Sequence, residues 1–274
     1  MKSDCDGVRF GPEFCMEKVP SLEELKAAYA LVRENGKIFT YVTPLVSDSS
    51  LQKVEAGFKF LNREDGIEVV VNDLGVFNML ERYPNLSPHL GRQLIYIPAR
   101  CPWPQTTSRK KSFFNTLKRK STLNQVLFSQ TSLNYLPTIQ FLQNHGVKRV
   151  DVDWIPECIK HYDFLVTEGL RLSVYAHFIL VALTRRCHTA RFLGDKEETH
   201  CSRACDTRAF LLKQNNIQCE LYLSGNTIFS RANPTKREVK WFEERESEFI
   251  IETGPIVKAL KNNSINALIS TFES

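Results

Sequence analysis

Apolar residues along this chain alternate between short runs that suit strands and a three-and-four spacing that suits helices. Gly7 to Gly11 (GVRFG) predicts a first strand, followed by a loop through Pro12, Glu13, Phe14 and Cys15. Leu22, Leu25, Ala28, Tyr29 and Val32 keep helical spacing, and Ser21 with Glu24 three residues on predicts a capping box that opens this helix. Asn35–Gly36 predicts its end. A strand over Lys37 to Val46, a helix over Ser49 to Asn62, a strand over Ile67 to Val71 and a helix over Asp73 to Tyr83 follow, and Leu90 to Ile97 predicts a fourth strand. The alternation breaks from Ala99 to Leu127. It resumes with a helix over Pro137 to Asn144, a strand over Val147 to Asp153 and a helix over Pro156 to Glu168. A sixth strand is expected within Arg171 to Leu183, a seventh over Ile217 to Leu223 and an eighth over Phe249 to Glu252, with a closing helix near Ile256 to Ile269.

About eight strand–helix alternations predict an α/β fold: a (β/α)8 TIM-barrel-like single domain over residues 1–274, with an insertion at 102–127 after strand four. A doubly wound open sheet is the alternative, but no G-x-G-x-x-G follows a strand.

Composition is that of a globular protein, with 42% hydrophobic and 24% charged residues. No apolar run approaches 18 residues, so no membrane span is expected. The N-terminal MKSDCDGVRF lacks the apolar core of a signal peptide, which predicts a cytoplasmic protein whose eight cysteines are thiols or ligands. Charge is unevenly spread. Between Arg82 and Val150 stand 11 Lys or Arg and no Asp or Glu, and since the whole chain is +5 the remainder carries −6. An anionic partner suits that segment, as does a solvated basic loop. Trp103, Phe113 and Phe114 interleave with basic residues there, a pattern shared by nucleic-acid surfaces and loosely packed loops, and no stable nucleic-acid complex is asserted.

The candidate chemistry lies in RRCHTARFLGDKEETHCSRAC, where Cys187, Cys201 and Cys205 fall within 19 residues. A helical Cys201–Cys205 piece would put both thiols on one side, one turn apart. Arg185, Arg186, Arg191 and Arg203 stand among them and are expected to lower the thiol pKa. The pattern points to an iron–sulfur site or, with His188 and His200, to zinc, although C-x13-C-x3-C lacks the usual knuckle pairs. Three ordinary buried cysteines are the plain alternative. In a barrel the loops after the strands share one rim, which selects Cys15, after strand one, as a fourth ligand over Cys219 at the start of strand seven. Asp73 and His177 near strand ends, with Arg185, Arg186 and Arg191, are candidates for substrate binding. Asp73 equally suits a helix N-cap, and the arginines equally suit charge compensation of a cluster. No catalytic residue is assigned.

Four stretches resemble the peptidase U-32 (collagenase-like peptidase) family, closest to its iron–sulfur branch of oxygen-independent ubiquinone synthesis. They are VRFGPEFC (Val8 to Cys15), VVNDLGVFNML (Val70 to Leu80), SQTSLN with FLQNHGVKRVDVDWIPE (Ser129 to Asn134 and Phe141 to Glu157), and RRCHTAR with CSRAC. The resemblance implies a 4Fe-4S cluster on Cys15, Cys187, Cys201 and Cys205 and a role in hydroxylation without molecular oxygen. Its implied substrates are a small aromatic molecule or RNA, and its implied partner is a paralogous subunit in a heterodimer. A peptidase, or a non-catalytic cluster-carrying partner, are the alternatives within the same group. The insertion at 102–127 has no counterpart in the resemblance.

Overall fold

The computed structural model describes residues 5–100, 129–195, 201–212 and 219–253. Cys101, His200, the insertion at 102–127 and the closing helix near 256–269 lie outside the described residues. The chain forms two compact units, one of residues 5–94 with 137–151 and one of the rest, the division falling inside a strand between Asp151 and Val152.

In the first unit, strands β1 (Gly7–Phe10), β2 (Ile38–Thr43), β3 (Ile67–Val71), β4 (Leu86–Leu90) and β5 (Arg149–Asp153) pair in parallel, each beside the next. Helices α1 (Leu22–Glu34), α2 (Asp48–Leu61), α3 (Leu74–Leu80) and α4 (Leu136–Asn144) make the crossovers. The expected capping box is present: Ser21 Oγ accepts from Glu24 N at 3.2 Å and Glu24 Oε2 accepts from Ser21 N at 2.8 Å. Phe39, Tyr41, Ile67, Val69, Val71, Leu86, Leu90 and Val150 share one sheet face and are buried. The helices cover that face, with Tyr29 of α1 edge-on to Phe39 at 5.4 Å and Phe58 of α2 edge-on to Tyr41 at 6.3 Å. Each such side chain withdrawn from water contributes about 1.5–3 kcal/mol.

The fourth strand corrects the sequence. Leu90 to Ile97 looks like a strand by composition, but β4 occupies Leu86–Leu90, and the chain then turns through Gly91 into the 3-10 turn Arg92–Leu94. Leu86–Leu90 reads LSPHL, and its Ser, Pro and His hide it.

In the second unit come the 3-10 turn Pro98–Arg100, helix α5 (Ile159–Thr167), strands β6 (Arg171–Tyr175) and β7 (Phe178–Leu183), and helix α6 (His188–Phe192). Strands β8 (Phe210–Leu212), β9 (Leu221–Ser224) and β10 (Thr227–Arg231), helix α7 (Lys236–Glu243) and strand β11 (Glu248–Ile250) follow. β11 pairs with β6 in parallel. The stretch Arg171 to Leu183 holds two strands, not one, and the expected seventh barrel strand belongs instead to a separate antiparallel sheet of order β7-β10-β9-β8. Asp153 ties this unit together: its carboxylate pairs with Arg100 and accepts from Leu180 N at 3.1 Å, and its carbonyl accepts from Tyr162 Oη at 2.9 Å.

The parallel strands hydrogen-bond in the order β1-β2-β3-β4-β5-β6-β11. An order that advances without reversing lacks the switch point of a doubly wound sheet and is compatible with a TIM-like α/β fold. It is not closed: seven parallel strands, not eight, stand among the described residues, and β1 and β11 are its ends. No helix among the described residues is long and apolar enough to cross a membrane.

Candidate functional site

The loop after β1 carries Cys15. Gly11 opens it at φ +120, and a Cβ there would stand 2.1 Å from the Val42 carbonyl oxygen, so only glycine lets the chain leave β1 this way. Arg92, 1% exposed, grips the loop through a two-pronged pair with Glu13 (Nε to Oε1 2.7 Å, Nη2 to Oε2 3.0 Å). Its guanidinium carbon also lies 5.4 Å from the centre of the Phe14 ring, and Gln93 Nε2 donates to the Glu13 carbonyl. Cys15 then precedes the 3-10 turn Met16–Lys18, half-buried, and its thiol does not cap that turn.

Asn72 and Asp73 follow β3. Asn72, buried, donates to the Thr43 carbonyl at 3.0 Å and accepts from Gln93 N at 3.3 Å. Asp73 caps α3: Oδ1 accepts from Gly75 N (2.7 Å) and Val76 N (3.1 Å), and Oδ2 accepts from Val46 N (3.3 Å). Both of its oxygens are engaged by backbone, the N-cap role that the sequence also allows.

In the second unit, Cys187 is the N-cap of α6 and its Sγ accepts from Ala190 N at 3.4 Å. Burial raises its pKa, the Ala190 N–H opposes the rise, and the nearby thiols Cys205 and Cys201 add to it. The thiol thus stands above its ordinary value, where the sequence suggests one below it. Arg185, Arg186 and Arg191 are exposed, and water screens them. Cys201 and Cys205 do not share a helix either. Arg203 between them takes φ +52, its guanidinium pairs with Asp206 at 2.7 Å, and Ala204–Asp206 is a 3-10 turn. Cys201 is exposed, whereas Cys205 is buried with its Sγ 3.7 Å from where a Cβ of Gly225 would be. The fold thus gathers Cys187, Cys201 and Cys205 in the second unit and leaves Cys15 in the first. Among the described residues, no group of three or more His, Cys, Asp or Glu is arranged to hold a metal ion. Cys219, the rival ligand, is exposed.

His177 follows β6 and is 2% exposed. Burial and then Arg231 push its pKa down, and its Nδ1 stands 3.6 Å from Oε2 of Glu252. Glu252 Oε2 accepts from the backbone N of His177 (3.0 Å) and Phe178 (3.2 Å), which fixes the turn between β6 and β7.

Sequence reasoning missed a charged layer on the other face of the first unit's sheet. The strand registers place Arg9, Thr40, Glu68, His89, Arg149 and Asp151 on that face. Arg9 Nη1 donates to both oxygens of Asp151 at 2.9 Å, and His89 Nε2 lies 2.6 Å from Oδ1. Glu68 is 3.9 Å from both His89 Nδ1 and Arg149 Nε. Burial works against ionisation of Asp151, but Arg9 and His89 outweigh it and hold the carboxyl well below its ordinary value. His89 lowers Glu68 to about 2, against its partial burial and with help from Arg149 and Arg9. Glu68 and Arg149, the most exposed members, stand toward the strand N-termini. The signal available in the sequence was a polar residue at alternate positions of strands expected to be apolar on both faces.

Among the described residues of the second unit, Ser129 Oγ lies 3.1 Å from His161 Nε2, a nucleophile–base pair. No carboxylate hydrogen-bonds His161 among the described residues, and its pKa is lowered by burial and Lys160. Cys158 is fully buried and its thiol is pushed up to about 12 by burial and Glu157, so it is inert. No family model, curated protein or solved structure matches the chain.

Proposed function

We propose that this chain is an iron–sulfur protein of the peptidase U-32 type, catalysing or supporting an oxygen-independent hydroxylation of an aromatic or nucleobase substrate. The winding of its parallel sheet is in keeping with that family's barrel, and the motif resemblance supplies the class. One observation carries the reading. Gly225 brings the two ends of the 19-residue cysteine stretch together: Thr189 N, two residues after Cys187, donates to its carbonyl at 2.9 Å, and Cys205 Sγ packs 3.7 Å from where its Cβ would be.

The donors are of the chemical kind a cluster takes: soft thiols, with a backbone N–H aimed at one sulfur and glycine rather than a side chain beside another. The motif resemblance alone implies Cys15 as a fourth ligand. A 4Fe-4S cluster, when bound, supplies one-electron redox chemistry. The chain's own residues do the rest. The Ala190 N–H orients Cys187. The exposed Arg185, Arg186 and Arg191 flank Cys187 and attract an anionic substrate. The buried His177 helps to fix the turn after β6 through its backbone N–H to Glu252. A paralogous subunit as partner and a cytoplasmic location belong to the same proposal.

The test is iron and acid-labile sulfide after anaerobic purification of wild type, Cys187→Ser and Cys15→Ser. About four of each per chain, lost in both variants, is the expected result. Zinc, or no metal, sinks the reading. The Ser129–His161 pair would then recommend the peptidase alternative, tested by loss of peptide hydrolysis in Ser129→Ala.

A further inference from the structure

We infer that Arg92 is the positioning residue for Cys15, acting through Glu13 and Phe14. The inference rests on Cys15 being a ligand. Three successive residues of the loop are involved. Arg92 holds the Glu13 carboxylate with two hydrogen bonds of 2.7 and 3.0 Å and lies over the Phe14 ring at 5.4 Å. Gln93 donates to the Glu13 carbonyl. Cys15 is the next residue along, and its own carbonyl accepts from Lys18 N at 3.1 Å, which closes the turn behind it. The loop is thus fixed immediately before and after the thiol.

A buried ion pair is a poor way to add stability, because apolar residues of similar size do as well or better. A planar guanidinium gripping a carboxylate with two parallel bonds instead fixes orientation. What it orients here is the approach to Cys15. Arg92 is itself placed by the fold: Asn72 accepts from Gln93 N, and the Gly91 N–H donates to the Val71 carbonyl at 2.8 Å, so the chain after β4 is anchored to the end of β3.

The experiment uses the full-length chain with Glu13→Leu and Arg92→Met combined, which removes both charges together and leaves no buried charge alone. Thermal melting followed by circular dichroism checks that the fold persists. Alkylation of the reduced, chelator-treated protein, read by peptide mass, reports the loop without reference to iron. Cys15 is expected to react about 10-fold faster relative to Cys219 than in wild type, as a loop released from local structure does. Iron per chain is expected to fall in the same variant. Arg92→Lys, which keeps the charge and loses the fork, is expected to resemble the double variant. Unchanged Cys15 alkylation in the folded double variant overturns the inference, as does wild-type behaviour of Arg92→Lys. Wild-type protein without iron removes the cluster reading, while the alkylation result still decides the role of Arg92.

Discussion

Nη1 of Arg9 donates to both carboxylate oxygens of Asp151, joining the first strand to the fifth across 142 residues of chain. Asp151 is completely buried, so its charge depends on Arg9 and His89. Arg9→Met strips away the main compensating charge. A loss of roughly 3 kcal/mol is expected, the scale for breaking one side of a buried pair. Urea unfolding measures it, and an Arg9→Met protein as stable as wild type would show that the pair is dispensable.

Acid should act through the same layer. Glu68 is held at about 2 in the folded protein against an ordinary 4.5. A depressed carboxyl contributes stability that is complete above its unfolded pKa and is lost as pH falls through the folded one. Wild type should therefore exceed Glu68→Gln in stability at pH 6, and the gap should close between about pH 4.5 and pH 2. Urea midpoints at pH 6, 4 and 3 follow it. A gap that does not vary with pH would assign the loss to packing instead.

Gly91 and Asn72 form a second testable couple. A Cβ on Gly91 would stand 2.1 Å from Asn72 Oδ1, forcing that amide away from Thr43 and Gln93. Gly91→Ala should cost about 1–3 kcal/mol by overpacking. Asn72→Ala removes the obstacle, so adding Gly91→Ala to it should cost little. Additive losses in the double-mutant cycle would mean that the two residues do not interact.

The cysteines should differ in reactivity toward iodoacetamide in the metal-free, reduced protein. Cys5, Cys201 and Cys219 are exposed and should react first. Cys158, with its thiol near 12 and no exposure, should react only on unfolding. Peptide mapping at timed intervals gives the order, and early labelling of Cys158 would show that its helix opens locally.

What the sequence made legible was local. Ser21 and Glu24 cap α1 as their spacing says, because a capping box needs only four adjacent residues. The run Ile67–Val71 is a strand because its apolar character leaves no other choice. β4 escaped notice because Ser87, Pro88 and His89 argue for a turn, and only the distant charges of the layer give His89 a reason to be in a strand. The β9–β10 hairpin was also missed, although Gly225–Asn226 between Ser224 and Thr227 is a hairpin turn signal. At the candidate site, spacing brought Cys187, Cys201 and Cys205 to attention, but the left-handed Arg203 defeats the helix that the spacing suggested. The Glu13–Arg92 grip spans 79 residues, and nothing local announces it.

The two faces of the first unit's sheet also guard its assembly. Parallel strands that are apolar on both sides can slide past one another by a residue at small cost, since any apolar side chain fits nearly any slot. Here a one-residue slip of β5 would drive Arg149 and Asp151 in among the helix-facing valines and set Val150 among the charges. The misaligned chain would strand two ions in oil, so the ionic layer weighs against that register.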